Sequence, residues 1–142
     1  MEKEIRYKLK QIEENLSLIE NNLPDNFKEF KQLGLVKDGI YKRIENAIED
    51  MIDICGIINS ELKLGIPTED EDLIDNVFKK KIISKNLYLK IKEMKGFRNI
   101  LVHRYGDLDD KLAFENIKSG LDDFELFIKE IESFLKNLDI FK

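Results

Sequence analysis

One ten-residue segment, Phe97 to Gly106, contains most of the side chains in this chain that could carry out chemistry. It holds the only histidine, His103, and two of the four arginines, Arg98 and Arg104. Histidine transfers protons near neutral pH, and arginine binds two oxygens of a phosphate at once. Together they fit the attack of an RNA 2′-hydroxyl on its own 3′-phosphate, which needs proton transfer and positive charge at the transition state.

The spacing of these residues indicates how a helix would place them. Arg98 and His103 are five residues apart, so they stand about 140° apart around a helix and roughly 7.5 Å apart along it, close enough to line one groove. Tyr105 comes seven residues after Arg98 and is predicted on the same side. We expect all three on the last two turns of a helix. The triplet Ile100–Val102 would pack inward, and Gly106 would take the left-handed conformation that ends many helices.

One histidine per chain is too few for the whole reaction, because RNA cleavage needs both a general base and a general acid. A two-fold dimer with this segment at its axis would bring two histidines and two arginines together. We therefore expect a homodimer. A structural alternative stays open, since a lone histidine at a helix end is often a packing residue and the Arg–His spacing alone is weak evidence.

The composition fits a single domain covering residues 1–142, with 42% hydrophobic and 37% charged residues. Cys55 is the only cysteine, so no internal disulfide can form, and a reducing, cytoplasmic compartment is expected. The first residues are charged, and no apolar run approaches the ~20 residues of a membrane span, so neither a signal peptide nor a membrane segment is expected. No ligand spacing or phosphate loop is recognisable, and we expect neither a metal nor a cofactor.

The charge is unevenly distributed along the chain. The formal net charge of −5 argues against a generic nucleic-acid binder. Between Lys79 and Arg104, however, nine basic residues and one acidic residue give +8, which leaves −13 for the rest. A local basic patch can bind phosphate on an acidic protein, so Lys95 and Arg104 are candidate RNA contacts. The alternative is an ordinary solvated helix face.

Apolar residues recur at three- and four-residue steps and predict four long amphipathic helices with one or two short ones. The first two long helices are expected at about residues 3–23 and 39–62, with a short helical piece at about 26–33. No sustained period-two alternation indicates a strand. We expect an all-α, antiparallel (up-down) four-helix bundle.

Capping signals mark three of the later helices. A capping box of Thr68 and Glu71 would begin a short acidic helix. Ser84 would cap the next helix, and the acids from Asp107 to Asp110 would cap the last helix. The acids beside Thr68 suit the helix dipole better than a metal site. On the helix after Ser84, Arg98 falls on the buried stripe, where it needs a partner or a cleft. The last helix carries a heptad seam from Ile117 to Leu138, which would pack within the chain or against a partner chain.

The segment Arg98 to Tyr105 resembles the R-x4-H-x-Y signature of HepT-type toxins, within the HEPN superfamily of helical RNases. The likeness extends over about residues 39–131. Other segments similar to the family are Arg43–Ala47, Met51–Ile54, Ile66–Pro67 with the short acidic helix after it, and Tyr105–Asp109.

This resemblance implies a homodimeric helical bundle and the toxin of a type II toxin–antitoxin system. Arg98 and His103 of both chains would cleave RNA without a metal ion, and Asn99 would help to position them. The implied partner is a minimal nucleotidyltransferase (MNT) antitoxin, which would transfer AMP to Tyr105. Added bulk and negative charge in an electropositive cleft would exclude RNA phosphates.

Two other functions are compatible with the sequence. One is a non-catalytic HEPN subunit that binds nucleotide or substrate for a nucleotidyltransferase. The other is a helical adaptor that binds proteins through its last helix.

Overall fold

The fold, described for residues 1–142 by a computed structural model, consists of helices and loops without a strand. Four long helices pack around one core, as the sequence predicts, but three short helices lie between or after them instead of the one or two expected. The helices are α1 (Glu2–Asn22), α2 (Phe27–Lys31), α3 (Leu35–Glu61), α4 (Asp70–Lys79), α5 (Lys85–His103), α6 (Asp110–Lys136) and α7 (Leu138–Phe141), with a 3-10 turn at Tyr105–Asp107. None of them is long and apolar enough to cross a lipid bilayer.

Polar contacts between helices show that neighbours in the bundle run antiparallel. In each case a residue near the start of one helix contacts a residue in the later part of the other. The pairs are Lys8–Asp53 and Asn15–Arg43 between α1 and α3, and Ser84–Glu130 between α5 and α6. The up-down arrangement predicted for the four long helices is therefore confirmed.

A single hydrophobic core of 33 buried side chains joins the long helices. Burying one large apolar side chain contributes about 1.5–3 kcal/mol, so this cluster is the main source of stability. The heptad seam of α6 belongs to it, with Phe124 and Ile131 almost fully buried. The seam thus packs within the chain, and the adaptor hypothesis loses the surface it relied on. Cys55 also lies in the core, where burial raises the pKa of its thiol to about 12.

Two of the predicted helix caps are confirmed and one is wrong. The Ser84 hydroxyl accepts the N–H of Leu87, and Asp109 caps α6. At the start of α4, however, the carboxylate of Asp72, not Glu71, accepts both the N–H and the hydroxyl of Thr68. The helix begins at Asp70, one residue later than a capping box at Thr68 would start it.

The end of α5 differs from the prediction in two respects. The helix stops at His103, so Tyr105 lies in the following 3-10 turn, and Gly106 is not left-handed. Within the apolar triplet Leu101 is buried, but Val102 is 46% exposed. Three consecutive helical residues spread over about 200°, so they cannot all share one buried face.

Candidate active site at the end of α5

Arg98 is held between α3 and α4 by two carboxylates. Its Nη1 donates to Glu49 and its Nη2 donates to Asp70 at 2.8 Å. The side chain is 12% exposed, and Nε is buried without a partner. Burial disfavours the charged guanidinium, but the hydrogen bonds to Asp70 and Glu49 outweigh it and raise the pKa of Arg98. Two acids therefore provide the partners that an arginine on the buried stripe requires.

The other candidate catalytic residues are open to solvent. His103 is the last residue of α5, and Asn99 lies one turn before it; both side chains are exposed. Arg104 is also exposed and has no carboxylate within 4 Å, unlike Arg98. The imidazole and the second guanidinium are thus available to a substrate, whereas Arg98 reaches the surface with only part of its side chain.

Tyr105 rests against the first turns of α3. Its hydroxyl donates to Asp38 Oδ1 at 2.5 Å, and its ring meets that of Tyr41 edge to face, with the ring centroids 5.7 Å apart. Tyr41 in turn donates to Asp110 at 2.6 Å, and Lys37 donates to the same carboxylate at 2.9 Å. Burial and the bond to Asp38 raise the pKa of Tyr105, which is a neutral phenol at physiological pH. Tyr105 as a whole remains 44% exposed.

One face of α3 holds both Arg98 and Tyr105. Asp38 and Glu49 are eleven residues apart, which on an α-helix places them about 16.5 Å apart and within about 20° of the same direction. The prediction that Tyr105 lies on the same side as Arg98 is confirmed in this sense, although Tyr105 is beyond the helix. Neither acid belongs to a recognisable motif, and each lies far from its partner in the chain, so no local sequence pattern identifies them.

Acids of α4 neutralise part of the basic segment. Lys92 lies 3.0 Å from Glu71, and Lys95 lies 3.9 Å from the same carboxylate. Lys95 is therefore already paired within the chain. The basic residues of the segment without a carboxylate partner are Lys79, Lys80, Lys81, Lys85, Lys90 and Arg104. The acidic run that opens α4 thus contacts α5, and no cluster of three or more potential ligands in the structure could hold a metal ion.

Comparisons with known proteins match most of the chain. The family model described as Ribonuclease HepT-like matches residues 12–131. The chain is 32% identical over 105 residues to the mRNA nuclease HepT of Shewanella oneidensis, covering 74% of this chain and 79% of that protein. It is 31% identical over 127 residues to the tRNA nuclease HepT of Aphanizomenon flos-aquae, covering 89% and 84%. A solved structure of the tri-AMPylated Shewanella oneidensis HEPN toxin in complex with MNT antitoxin superposes with a TM-score of 0.85 at 29% identity, covering 94% and 99%.

Proposed function

Because this chain belongs to the HepT-like ribonuclease family, we propose that it is the RNA-cleaving toxin of a toxin–antitoxin pair. The observation that carries the proposal is the end of α5. There an arginine fixed by two carboxylates precedes an exposed histidine by five residues, in a fold that superposes on a HEPN toxin. We assign catalysis to Arg98 and His103, with Asn99 in a positioning role.

The proposed reaction needs no metal ion. His103 takes the proton of the RNA 2′-hydroxyl, whose oxygen attacks the adjacent phosphorus, and the bond from phosphorus to the 5′-oxygen breaks. The departing 5′-oxygen receives a proton from the partner's His103, which acts as the general acid. The products are a 2′,3′-cyclic phosphate and a free 5′-hydroxyl. This division of roles requires a homodimer, because one chain supplies a single imidazole.

The ion pairs of Arg98 are compatible with phosphate binding. A guanidinium has five N–H donors, and the bonds to Glu49 and Asp70 use one on each Nη. The two remaining Nη hydrogens can donate to a non-bridging phosphate oxygen while the carboxylates keep the plane fixed. Orientation established before the substrate arrives reduces the entropy lost in the transition state. In this proposal Arg104 adds a second, more flexible phosphate contact, and Lys95 contributes once RNA competes with Glu71.

The proposed partner is an MNT-type nucleotidyltransferase antitoxin that transfers AMP to Tyr105. Tyr105 is 44% exposed and lies two residues after His103, so an attached AMP would place a phosphate and an adenosine beside the imidazole. The phosphate of the attached AMP would repel the RNA backbone, and its adenosine would block the approach to the site. We place both reactions in the cytoplasm, where the RNA substrate is found.

The proposal is tested by incubating the purified chain with RNA in excess chelator. We expect cleavage by the unmodified chain, and none by Arg98→Ala or His103→Ala. Arg6→Ala is a matched control, because Arg6 is exposed and pairs only with Glu2 on α1. Equal cleavage by all four proteins, or growth arrest on expression that does not depend on Arg98 and His103, would exclude this function.

A second function compatible with the fold is a HEPN subunit that binds nucleotide for a nucleotidyltransferase without cleaving RNA. The Nη hydrogens of Arg98 that Glu49 and Asp70 leave free can contact a nucleotide phosphate as well as an RNA phosphate, so the ion pairs of Arg98 fit both functions. Equilibrium dialysis with ATP separates the two functions. Tight binding of nucleotide with no RNA turnover would support the binding subunit, and the reverse result would support the nuclease.

A further inference from the structure

We propose that Asp38 is the general base for Tyr105 and takes its phenolic proton when the tyrosine attacks a phosphorus atom. The inference rests on the proposed function, because it assigns a residue to the transfer of AMP from ATP. In this scheme the toxin itself provides the base that activates its own acceptor hydroxyl.

The geometry of the pair supports this role. The Tyr105 hydroxyl donates to Asp38 Oδ1 at 2.5 Å, the length of a hydrogen bond from a hydroxyl to a carboxylate, so Asp38 is close enough to take the proton. The hydrogen therefore points toward α3, while Tyr105 as a whole is 44% exposed and its oxygen keeps lone pairs for an incoming electrophile. Asp38 is itself exposed, so it can pass the proton on to water.

Neighbouring groups hold the phenol in this orientation. The edge-to-face contact with Tyr41 fixes the ring of Tyr105, and the bond from Tyr41 to Asp110 fixes Tyr41. A nucleophile whose rotamer is set in advance loses less entropy on reaching the transition state. Tyr41 and Asp110 therefore act as positioning residues, whereas Asp38 contacts the atom that reacts.

A base is needed because the phenol does not ionise by itself near neutral pH. A neutral phenol is a weak nucleophile, and the raised pKa of Tyr105 leaves very little phenolate. In the proposed step the phenolic oxygen forms a bond to the α-phosphorus of ATP as the bond to pyrophosphate breaks. The proton moves to Asp38, pyrophosphate leaves, and the product is an AMP ester of the tyrosine.

Diisopropyl fluorophosphate tests this step without any partner protein. Attack by a tyrosine forms the same oxygen–phosphorus bond and expels fluoride, and peptide mass spectrometry gives the rate for each tyrosine. Tyr7 is the internal reference, because it is 63% exposed and its hydroxyl accepts a bond from Gln11 at 3.3 Å. We expect faster labelling at Tyr105 than at Tyr7 near neutral pH.

Asp38→Asn keeps the shape of the side chain but removes the base. We expect Tyr105 labelling to fall by about 10²-fold, the lower end for general-base catalysis, with the rate at Tyr7 unchanged. Asp38→Glu should retain part of the rate. Asp122→Asn is the matched control, since Asp122 is an exposed acid on α6, about 18 Å along the helix from Asp110.

The pH profile distinguishes a base from a residue that only positions the ring. With Asp38 present, we expect a nearly constant Tyr105 rate from about pH 6 to 8, where carboxylates are ionised. With Asn at position 38, the rate should follow hydroxide. The other ionisable groups near this pair are Lys37, Tyr41 and Asp110, with His103, Arg104 and Asp107 beside Tyr105 in the chain.

Equal Tyr105 rates in the unmodified chain and Asp38→Asn, or the same hydroxide dependence in both, would overturn the assignment. Failure of the proposed function is a separate result. If RNA is not cleaved but Tyr105 labelling depends on Asp38, the nuclease function is excluded and the assignment of Asp38 as the general base is retained. If RNA is cleaved and labelling does not depend on Asp38, only the base is excluded.

Discussion

At the scale of single residues, Arg98 and His103 combine a fixed cation with an accessible proton-transfer group. Glu49 and Asp70 determine where the guanidinium points, whereas the imidazole is exposed and makes no hydrogen bond or ion pair within the chain. Lysine at position 98 would not reproduce this arrangement, because its flexible ammonium lacks the planar guanidinium that presents Nη1 to Glu49 and Nη2 to Asp70 in fixed directions. We infer that the two residues are separable by mutation: one contributes to the fold and to catalysis, the other to catalysis alone.

His103→Ala should abolish RNA cleavage while leaving the chain folded. Removing a general base or acid typically costs at least about 10²-fold in rate. The free energy of unfolding should change by less than about 0.5 kcal/mol, as is usual for exposed positions. Arg98→Ala should instead cost about 1–2 kcal/mol, because two acids lose their common partner. Urea unfolding of both variants checks this. A His103→Ala chain that fails to fold would mean that the histidine is structural.

Tyr41→Phe should destabilise the chain in a pH-dependent way. Burial disfavours the Asp110 carboxylate, but the bonds from Tyr41 and Lys37 outweigh it and lower the pKa of Asp110. A lowered pKa in the folded state contributes stability that is present above the unfolded value of about 4 and lost as pH falls through the folded one. We expect a loss of about 1 kcal/mol at pH 7 that shrinks below about pH 4. Unfolding measured across this range checks it; a constant difference would contradict the assignment.

At the scale of elements, α4 brings Asp70 to Arg98, and a buried amide holds α4 in place. Asn59 is 3% exposed; it donates to the carbonyl of Gly65 at 2.8 Å and accepts from Asn76 at 2.8 Å. Gly65 has a φ of +139°, a conformation that other residues rarely adopt. The loop from α3 to α4 is therefore set by one side chain and one glycine, and the position of Asp70 depends on both.

Asn59→Ala should loosen α4 and weaken the hydrogen bond between Arg98 and Asp70. The Gly65 carbonyl and the half-buried Asn76 amide each lose a partner, and each lost hydrogen bond costs about 0.5–1.5 kcal/mol. We expect faster amide hydrogen exchange in α4 and reduced RNA cleavage. Asn86→Ala, at an exposed position in the first turn of α5, is the control. Unchanged exchange across α4 would show that Asn59 does not anchor this helix.

At the scale of the whole molecule, the proposed chemistry requires two copies of the chain. Each chain has one imidazole, and the reaction described above uses two. The core accounts for the apolar seam of α6, so the dimer contact must involve other surfaces. The proposed site requires the two chains to meet at the end of α5, where His103 and Val102 are exposed.

If both chains of a dimer contribute to one active site, an inactive chain should also inactivate the unmodified chain with which it pairs. When the unmodified chain is co-expressed with His103→Ala, only dimers of two unmodified chains keep both histidines. We expect activity to fall as the square of the unmodified fraction, measured as initial cleavage rates over a series of ratios. A linear fall would mean that each chain acts alone and would exclude the division of base and acid between protomers.

The sequence alone determined the helical class, the antiparallel bundle, most helix bounds and the family. These features depend on local periodicity, caps and a short motif, which can be read within a few turns. The start of α3 was placed four residues late, at Gly39 instead of Leu35. Leu35 and Val36 are apolar but 86% and 45% exposed, so the first turn of α3 lies outside the core, and Gly34 with a φ of +62° forms the turn before it.

Only the tertiary structure decided which acids meet the motif. Asp38, Glu49 and Asp70 are 67, 49 and 28 residues from their partners Tyr105 and Arg98, so no local pattern connects them. Their meeting depends on the antiparallel register of α3 against α5 and on the loop that places α4. Sequence periodicity shows which face of a helix is buried, but not how far one helix is shifted along another, because that shift is fixed by the packing of the whole core.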